Sequence, residues 1–205
     1  MWDERFTAVE FFNDHAFSER PDIVGDWFSF LAAGRRVFAV GSSDSHRLVS
    51  SPVGYPRTCM ALGTDDPRAA TPQAIGRAVG EGRSTIEGGV HLRVSAVGAS
   101  AAAGPGQTLM GAGERATLRV AVRAPTWVRP RDLVVYVDGA AMPAVALGDA
   151  QRDPMDATVR FRGDVHVPVS ATGSWAIVVV NGEELTPVYP GRLAFAVSNP
   201  IFLQR

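Results

Sequence analysis

Residues 37 to 46 read V-F-A-V-G-S-S-D-S-H, and this stretch decides how the rest of the chain is interpreted. Its four apolar residues, bounded by Gly41, predict a short buried strand that ends in a polar loop. If the loop stays extended, Asp44 and His46 point to the same side, because side chains two residues apart share a face of a strand. A carboxylate beside an imidazole at a strand end is half of a divalent-metal site. An ordinary turn that happens to contain Asp and His is the alternative interpretation.

The segments before this stretch predict a β-α-β unit. Residues 6–12 are rich in Phe, Val and Thr, which favours a strand that carries Glu10 and ends at Asn13. Apolar residues at helical spacing over residues 22–33, with a proline near the start and a glycine past the end, predict an amphipathic helix. Strands joined by such a helix run parallel, and ligands bind beyond the carboxyl ends of parallel strands. Asn13 and the D-S-H loop would lie at that edge.

The residues after the loop predict one more strand, one helix and then a β-sandwich. Residues 57–63 favour the strand, and Thr71 and Pro72 are suited to the N-cap and first position of a helix over residues 73–81. From about residue 84 the chain changes to short strand-like runs between Gly, Pro and Asp, as in an antiparallel sandwich. The runs lie at residues 90–97, 116–122, 133–137, 158–161 and 175–180.

Composition excludes several classes of protein. The chain has 205 residues, of which 46% are hydrophobic and 20% charged, as expected for a folded protein. A net charge of -1 gives no bulk attraction to nucleic acid or to an anionic membrane, and no apolar run approaches the roughly 20 residues of a membrane span. The acidic start M-W-D-E-R is unlike a signal peptide, and the single Cys59 excludes an internal disulfide. We therefore expect a cytoplasmic protein that binds neither nucleic acid nor membrane.

Several of these segments together resemble the closing part of the PHP-domain (polymerase and histidinol phosphatase) metal-dependent phosphoesterases. The similar segments, in the family's order and spacing, are F-T-A-V-E-F-F-N (6–13), D-W-F-S-F-L-A-A-G-R-R-V-F-A-V-G-S-S-D-S-H (26–46) and V-G-Y-P-R-T (53–58). One branch of the family carries a β-sandwich after its catalytic barrel. The segments that resemble that sandwich are G-R-S-T (82–85), A-P-T-W-V (124–128) and A-V-S-N-P-I-F (196–202). The resemblance covers nearly the whole chain.

The resemblance implies an α+β fold with two domains. Residues 1–86 would be the C-terminal segment of a PHP-type (β/α) barrel, and residues 87–205 would form an antiparallel Ig-like β-sandwich. Divalent zinc, manganese or iron would lie at the carboxyl ends of the barrel strands, and a metal-bound hydroxide would attack a small-molecule phosphoester or ester.

The same resemblance implies roles for five side chains. Asp44 and His46 match the family's last pair of metal ligands. Glu10 and Asn13 match a segment near the site, where they would support the ligands. Arg57 would reach a phosphate, although the alternative, an ordinary surface arginine, is the one we favour.

The chain departs from the family in its number of ligands. The family's barrel opens with an H-x-H pair and adds further Asp, Glu and His ligands. The four histidines of this chain, none of them spaced as H-x-H, are His15, His46, His91 and His166. Two ligands cannot hold a catalytic metal, because such a site needs three.

Two interpretations follow. The chain is the C-terminal portion of a metal-dependent hydrolase, inactive alone because the upstream half of its barrel is missing. Alternatively it is a non-catalytic β-sandwich binding or interaction module with a vestigial metal-site loop. An incomplete barrel would leave an open strand edge, so the first interpretation also predicts self-association or a partner that covers the edge.

Overall fold

A computed structural model describes residues 5–47, 53–99, 101–148 and 153–205. Within these ranges the chain forms two α-helices and fifteen β-strands, so the fold is mostly β. Neither helix is long and apolar enough to cross a membrane. Of the acidic segment M-W-D-E-R, residues 1–4 lie outside the described ranges.

The first layer of the fold is the predicted β-α-β unit. The strands β1 (Ala8–Asn13) and β2 (Phe38–Ser42) pair in parallel, and α1 (Pro21–Ala32) connects them. The indole N–H of Trp27 donates to the carbonyl of Val37 at 2.9 Å, which ties the buried face of the helix to the start of β2. The buried residues of α1, at helical spacing, are Val24, Trp27 and Leu31. The predicted strand, helix and parallel strand are confirmed.

The strands after residue 56 form two larger sheets. The larger sheet has the order β10-β9-β13-β14-β4-β3, with β11, β15 and β7 attached to it, and the smaller sheet has the order β12-β8-β5-β6. Their bounds are β3 (Arg57–Met60), β4 (Ser84–Gly88), β5 (His91–Val97), β6 (Ala102–Ala103), β7 (Thr108–Leu109), β8 (Arg115–Arg123), β9 (Pro130–Val137), β10 (Ala140–Ala141), β11 (Val145–Ala146), β12 (Val159–Pro168), β13 (Ser174–Leu185), β14 (Tyr189–Ser198) and β15 (Ile201–Leu203). Buried side chains of both sheets belong to one hydrophobic core, as in a β-sandwich.

The β-α-β unit packs on the larger sheet and makes a third layer. Residues 174–180 of β13 are all buried, which requires cover on both faces of the strand. Phe28 of α1 provides part of that cover, because its ring lies 5.4 Å from the ring of Tyr136 and 5.2 Å from that of Trp175. Phe12 of β1 lies 6.0 Å from Phe195 on β14. The sandwich and the β-α-β unit therefore share one apolar interior.

The second helix, α2 (Pro72–Gly80), lies between β3 and β4. The hydroxyl of Thr71 accepts a hydrogen bond from the backbone N–H of Ala74 at 3.2 Å, and Pro72 occupies the first turn. The predicted N-cap and helix are confirmed, since the cap satisfies an N–H group that the first turn leaves without a helical partner.

The predicted (β/α) barrel segment is wrong. The third strand, β3, does not extend the parallel pair but runs antiparallel to β4, with Arg57 opposite Glu87 and Met60 opposite Ser84. None of the sheets in the described ranges closes into a barrel. The residues assigned to a barrel instead add two strands to the larger sheet and a β-α-β layer over it. The expected junction between residues 86 and 87 falls inside β4.

Candidate functional site

Asp44 and His46 lie side by side in the loop that follows β2. Nε2 of His46 is 3.1 Å from Oδ1 of Asp44, and 79% and 55% of the two side chains are exposed. The backbone of Asp44 is left-handed, with φ of 43°, a conformation that Asp tolerates better than most residues. The turn brings carboxylate and imidazole together on the surface, at the carboxyl end of the parallel pair.

Glu10 and Asn13 lie on the neighbouring strand. Oε1 of Glu10 accepts a short hydrogen bond from the hydroxyl of Ser42, the last residue of β2. Asn13 is exposed and lies opposite Ser42 in the strand register. Both residues therefore belong to the edge from which the Asp44 loop leaves the sheet.

The spacing of the Asp44 and His46 atoms suits two ligands of one cation. Two atoms that each lie about 2.1 Å from a metal are about 3.0 Å apart in an octahedral site and about 3.4 Å apart in a tetrahedral one. The observed 3.1 Å falls between these values, and it is also the length of the hydrogen bond that joins the two side chains, which a cation would replace. However, no group of three or more His, Cys, Asp or Glu side chains in the described ranges could hold a metal ion. The residues present fit half of a metal centre and do not fit a complete one.

Arg57 lies on β3, opposite Glu87 of β4. The carboxylate of Glu87 is the centre of a hydrogen-bonded cluster that the sequence did not reveal. Glu87 is 1% exposed and its carboxylate is fully engaged. The groups that contact its two oxygens are Thr85 Oγ1 at 2.9 Å, His91 Nδ1 at 2.9 and 3.1 Å, the backbone N–H of Leu92 at 3.1 Å, and Cys59 Sγ at 3.2 Å. We call Cys59, Thr85, Glu87 and His91 the Glu87 cluster.

The Glu87 cluster holds its carboxylate ionised. Burial alone would raise the pKa of Glu87, but hydrogen bonds from His91 and from the N–H of Leu92 outweigh burial and hold the pKa below its usual value. Burial and the adjacent Glu87 charge raise the pKa of the Cys59 thiol to about 11. Cys59 is therefore a neutral hydrogen-bond donor at physiological pH and is not an activated nucleophile.

Little in the sequence predicts the Glu87 cluster. From the sequence, His91 is interpreted only as a surface or packing residue. The one sign of the cluster in the sequence is the carboxylate of Glu87 next to Ile86 in an apolar strand. Its members come from β3, β4 and β5, which the chain brings together only by folding.

No family model, no curated protein and no solved structure matches this chain.

Proposed function

We propose that this chain is part of a metal-dependent hydrolase acting on phosphoesters, and that Asp44 and His46 supply two ligands of its divalent-metal site. The observation that carries the proposal is the 3.1 Å contact of the two ligand atoms in an exposed loop at the carboxyl end of parallel strands. The resemblance of the flanking segments to PHP-domain phosphoesterases supports the same class of reaction. When bound, zinc, manganese or iron would supply an activated hydroxide.

The other ligands must come from outside the described residues. Those residues hold no third His, Cys, Asp or Glu positioned to complete the group. Within the described ranges, no strand pairs with the outer edge of β1, and such edges accept strands from other polypeptides. A second copy or a partner paired there would lie beside Glu10 and Asn13. The chain alone would therefore show negligible phosphatase or phosphodiesterase turnover with manganese or zinc.

Calorimetric titration with zinc tests the proposal. We expect weak binding by the wild-type chain, weakened by about tenfold or more in Asp44→Ala and in His46→Ala. His166→Ala and Asp164→Ala are matched controls, because both residues are exposed and lie on β12. The proposal fails if the Asp44 and His46 variants bind zinc as the wild type does, or if all four variants lose binding equally.

A further inference from the structure

A cleft of about 400 Å³ opens on the sandwich, and neither Asp44 nor His46 lines it. We call it the Trp127 cleft. Five parts of the chain form its walls: the loop before β3 with the start of β3, the residues around the start of β5, the connection between β8 and β9, the residue before β12, and the connection between β13 and β14. The lining of the cleft includes Tyr55, Arg57, His91, Arg123, Trp127 and Tyr189. The volume lies within the range of small-molecule sites.

His91 presents a defined ring nitrogen to the cleft. Its Nδ1 lies 2.9 Å from Oε1 of Glu87, so this nitrogen must carry the proton that the carboxylate accepts. The second ring nitrogen, Nε2, is then the one left for a ligand. No described residue forms a hydrogen bond with Nε2, and 42% of the side chain is exposed. A ligand hydroxyl in the cleft can therefore form a hydrogen bond with Nε2, since a hydroxyl both donates and accepts.

The guanidinium of Arg57 is a cation that the cleft offers to a ligand. Two other charged groups beside the cleft have partners: Arg123 donates to the carboxylate of Asp156 at 2.7 Å, and Nδ1 of His91 contacts the buried carboxylate of Glu87 at 2.9 Å. Arg57 forms no ion pair with a described residue, and its guanidinium lies next to the neutral thiol of Cys59. A guanidinium binds a carboxylate through two parallel hydrogen bonds.

Aromatic side chains supply an apolar surface to the cleft. Trp127 is 43% exposed, so part of its indole ring is open to a ligand in the cleft. The ring of Tyr189 lies 6.4 Å from that of Tyr55, which is buried and whose hydroxyl donates to the carbonyl of Leu193 at 2.6 Å. These side chains give the cleft aromatic surfaces against which a planar ring can pack.

We propose that the Trp127 cleft binds a small aromatic hydroxy acid. Arg57 holds the carboxylate, Trp127 packs against the ring, and Nε2 of His91 forms a hydrogen bond with the hydroxyl. This site uses none of the residues assigned to the metal, so it stands independently of the hydrolase. It gives the alternative interpretation, a binding module, a definite ligand class.

Three matched probes separate the hydroxyl contact from the carboxylate contact: 4-hydroxybenzoate, benzoate without the hydroxyl, and 4-hydroxybenzamide without the charge. Binding is measured by two-dimensional NMR titration of the full chain. We expect 4-hydroxybenzoate to bind most tightly, by about fivefold to tenfold over either of the other two, since each lost contact is one hydrogen bond or one ion pair.

Four variants assign those contacts to residues. Arg57→Ala should bind 4-hydroxybenzoate and 4-hydroxybenzamide alike, and Trp127→Ala should weaken all three probes. In His91→Asn the amide still donates to Glu87 but offers nothing at the Nε2 position, so the variant should bind 4-hydroxybenzoate and benzoate alike. Arg93→Ala, which removes a cation from the same face of β5 outside the cleft, should change nothing.

Thermal melts of each variant accompany the titrations, so that loss of folding is recognised as such. The proposal is overturned if no probe binds saturably to the folded wild type. It is equally overturned if folded Arg57→Ala keeps the preference for the charged probe, or if Arg93→Ala loses it. Asp44→Ala should bind the probes as the wild type does, which separates this test from that of the metal site.

Discussion

Asn199 forms two hydrogen bonds with the backbone of Ala39: its Oδ1 accepts from the N–H at 2.7 Å, and its Nδ2 donates to the carbonyl at 3.0 Å. Oγ1 of Thr58 repeats the arrangement at Gly41, accepting from the N–H and donating to the carbonyl, both at 2.9 Å. Two side chains of the sandwich thus take the place of a neighbouring strand at the second edge of β2. They hold in place the strand from which the Asp44 loop leaves.

Asn199→Ala should strongly destabilise the fold. Asn199 is fully buried, so its removal leaves the N–H and carbonyl of Ala39 without these partners. We expect a loss of about 3 kcal/mol in the free energy of unfolding, measured with urea. The exposed Asn13 provides the control, because Asn13→Ala should change that free energy by less than about 0.5 kcal/mol. Equal effects of the two substitutions would show that the contact with Ala39 does not stabilise the fold.

Gly41→Ala tests how closely β2 approaches the larger sheet. A Cβ atom at Gly41 would lie 2.5 Å from Cγ2 of Ile86 and 3.3 Å from Cβ of Phe12. Relieving this overlap should cost about 1–3 kcal/mol of stability. In Gly25→Ala a Cβ would meet nothing within 4 Å, and alanine favours the helix, so this control should gain roughly 0.5–1 kcal/mol. A Gly41→Ala chain as stable as the wild type would contradict the packing described.

The Glu87 cluster should make the stability of the fold depend on pH in the acidic range. Because the pKa of Glu87 is lower in the folded chain than its ordinary value, the carboxylate stabilises the fold above its unfolded pKa. That contribution is lost as the pH falls through the lowered folded pKa. Glu87→Gln should therefore melt below the wild type at pH 7, with a smaller difference at pH 3. Glu114→Gln, at a side chain that is 87% exposed, should melt like the wild type throughout. A difference in melting temperature between Glu87→Gln and the wild type that stays constant from pH 7 to pH 3 would refute this pH dependence.

Cys59 should alkylate slowly. With a pKa of about 11 in place of the usual 9, the thiolate fraction at pH 8 is smaller by about a hundredfold. Iodoacetamide should modify the folded chain at a correspondingly lower rate than the chain unfolded in urea, as followed by mass spectrometry. Similar rates in the two states would mean that Glu87 and burial do not suppress the thiolate.

Local sequence patterns predict the β-α-β unit and the N-cap of α2, because those elements depend on residues a few positions apart. They do not predict that the second edge of β2 is filled by Asn199, which lies 160 positions from Ala39 in the chain. The barrel, which the resemblance to PHP-domain proteins implied, is wrong at this point, since side chains of Asn199 and Thr58 and not a third parallel strand bond to the second edge of β2. The strand β14 also escaped detection, because Pro190 and Gly191 interrupt its apolar pattern.

In the candidate site, too, the sequence predicts only those contacts whose residues are close in the chain. Asp44 and His46 are two residues apart, so their proximity follows from the sequence alone. Glu87 contacts residues from two other strands, and its burial is not visible in the letters T-I-E-G around it. The cleft beside His91 depends equally on distant segments, which only the folded chain brings together.

Zinc X-ray absorption spectroscopy of the zinc-loaded chain tests the role of Asp44 and His46 most directly. The fine structure reports which atoms surround the metal, and imidazole gives a recognisable outer-shell signal. We predict an imidazole among oxygen ligands, no sulfur, and loss of the imidazole signal in His46→Ala. An imidazole signal that persists in His46→Ala, or sulfur from Cys59 in the first shell, would contradict the assignment of Asp44 and His46 as metal ligands.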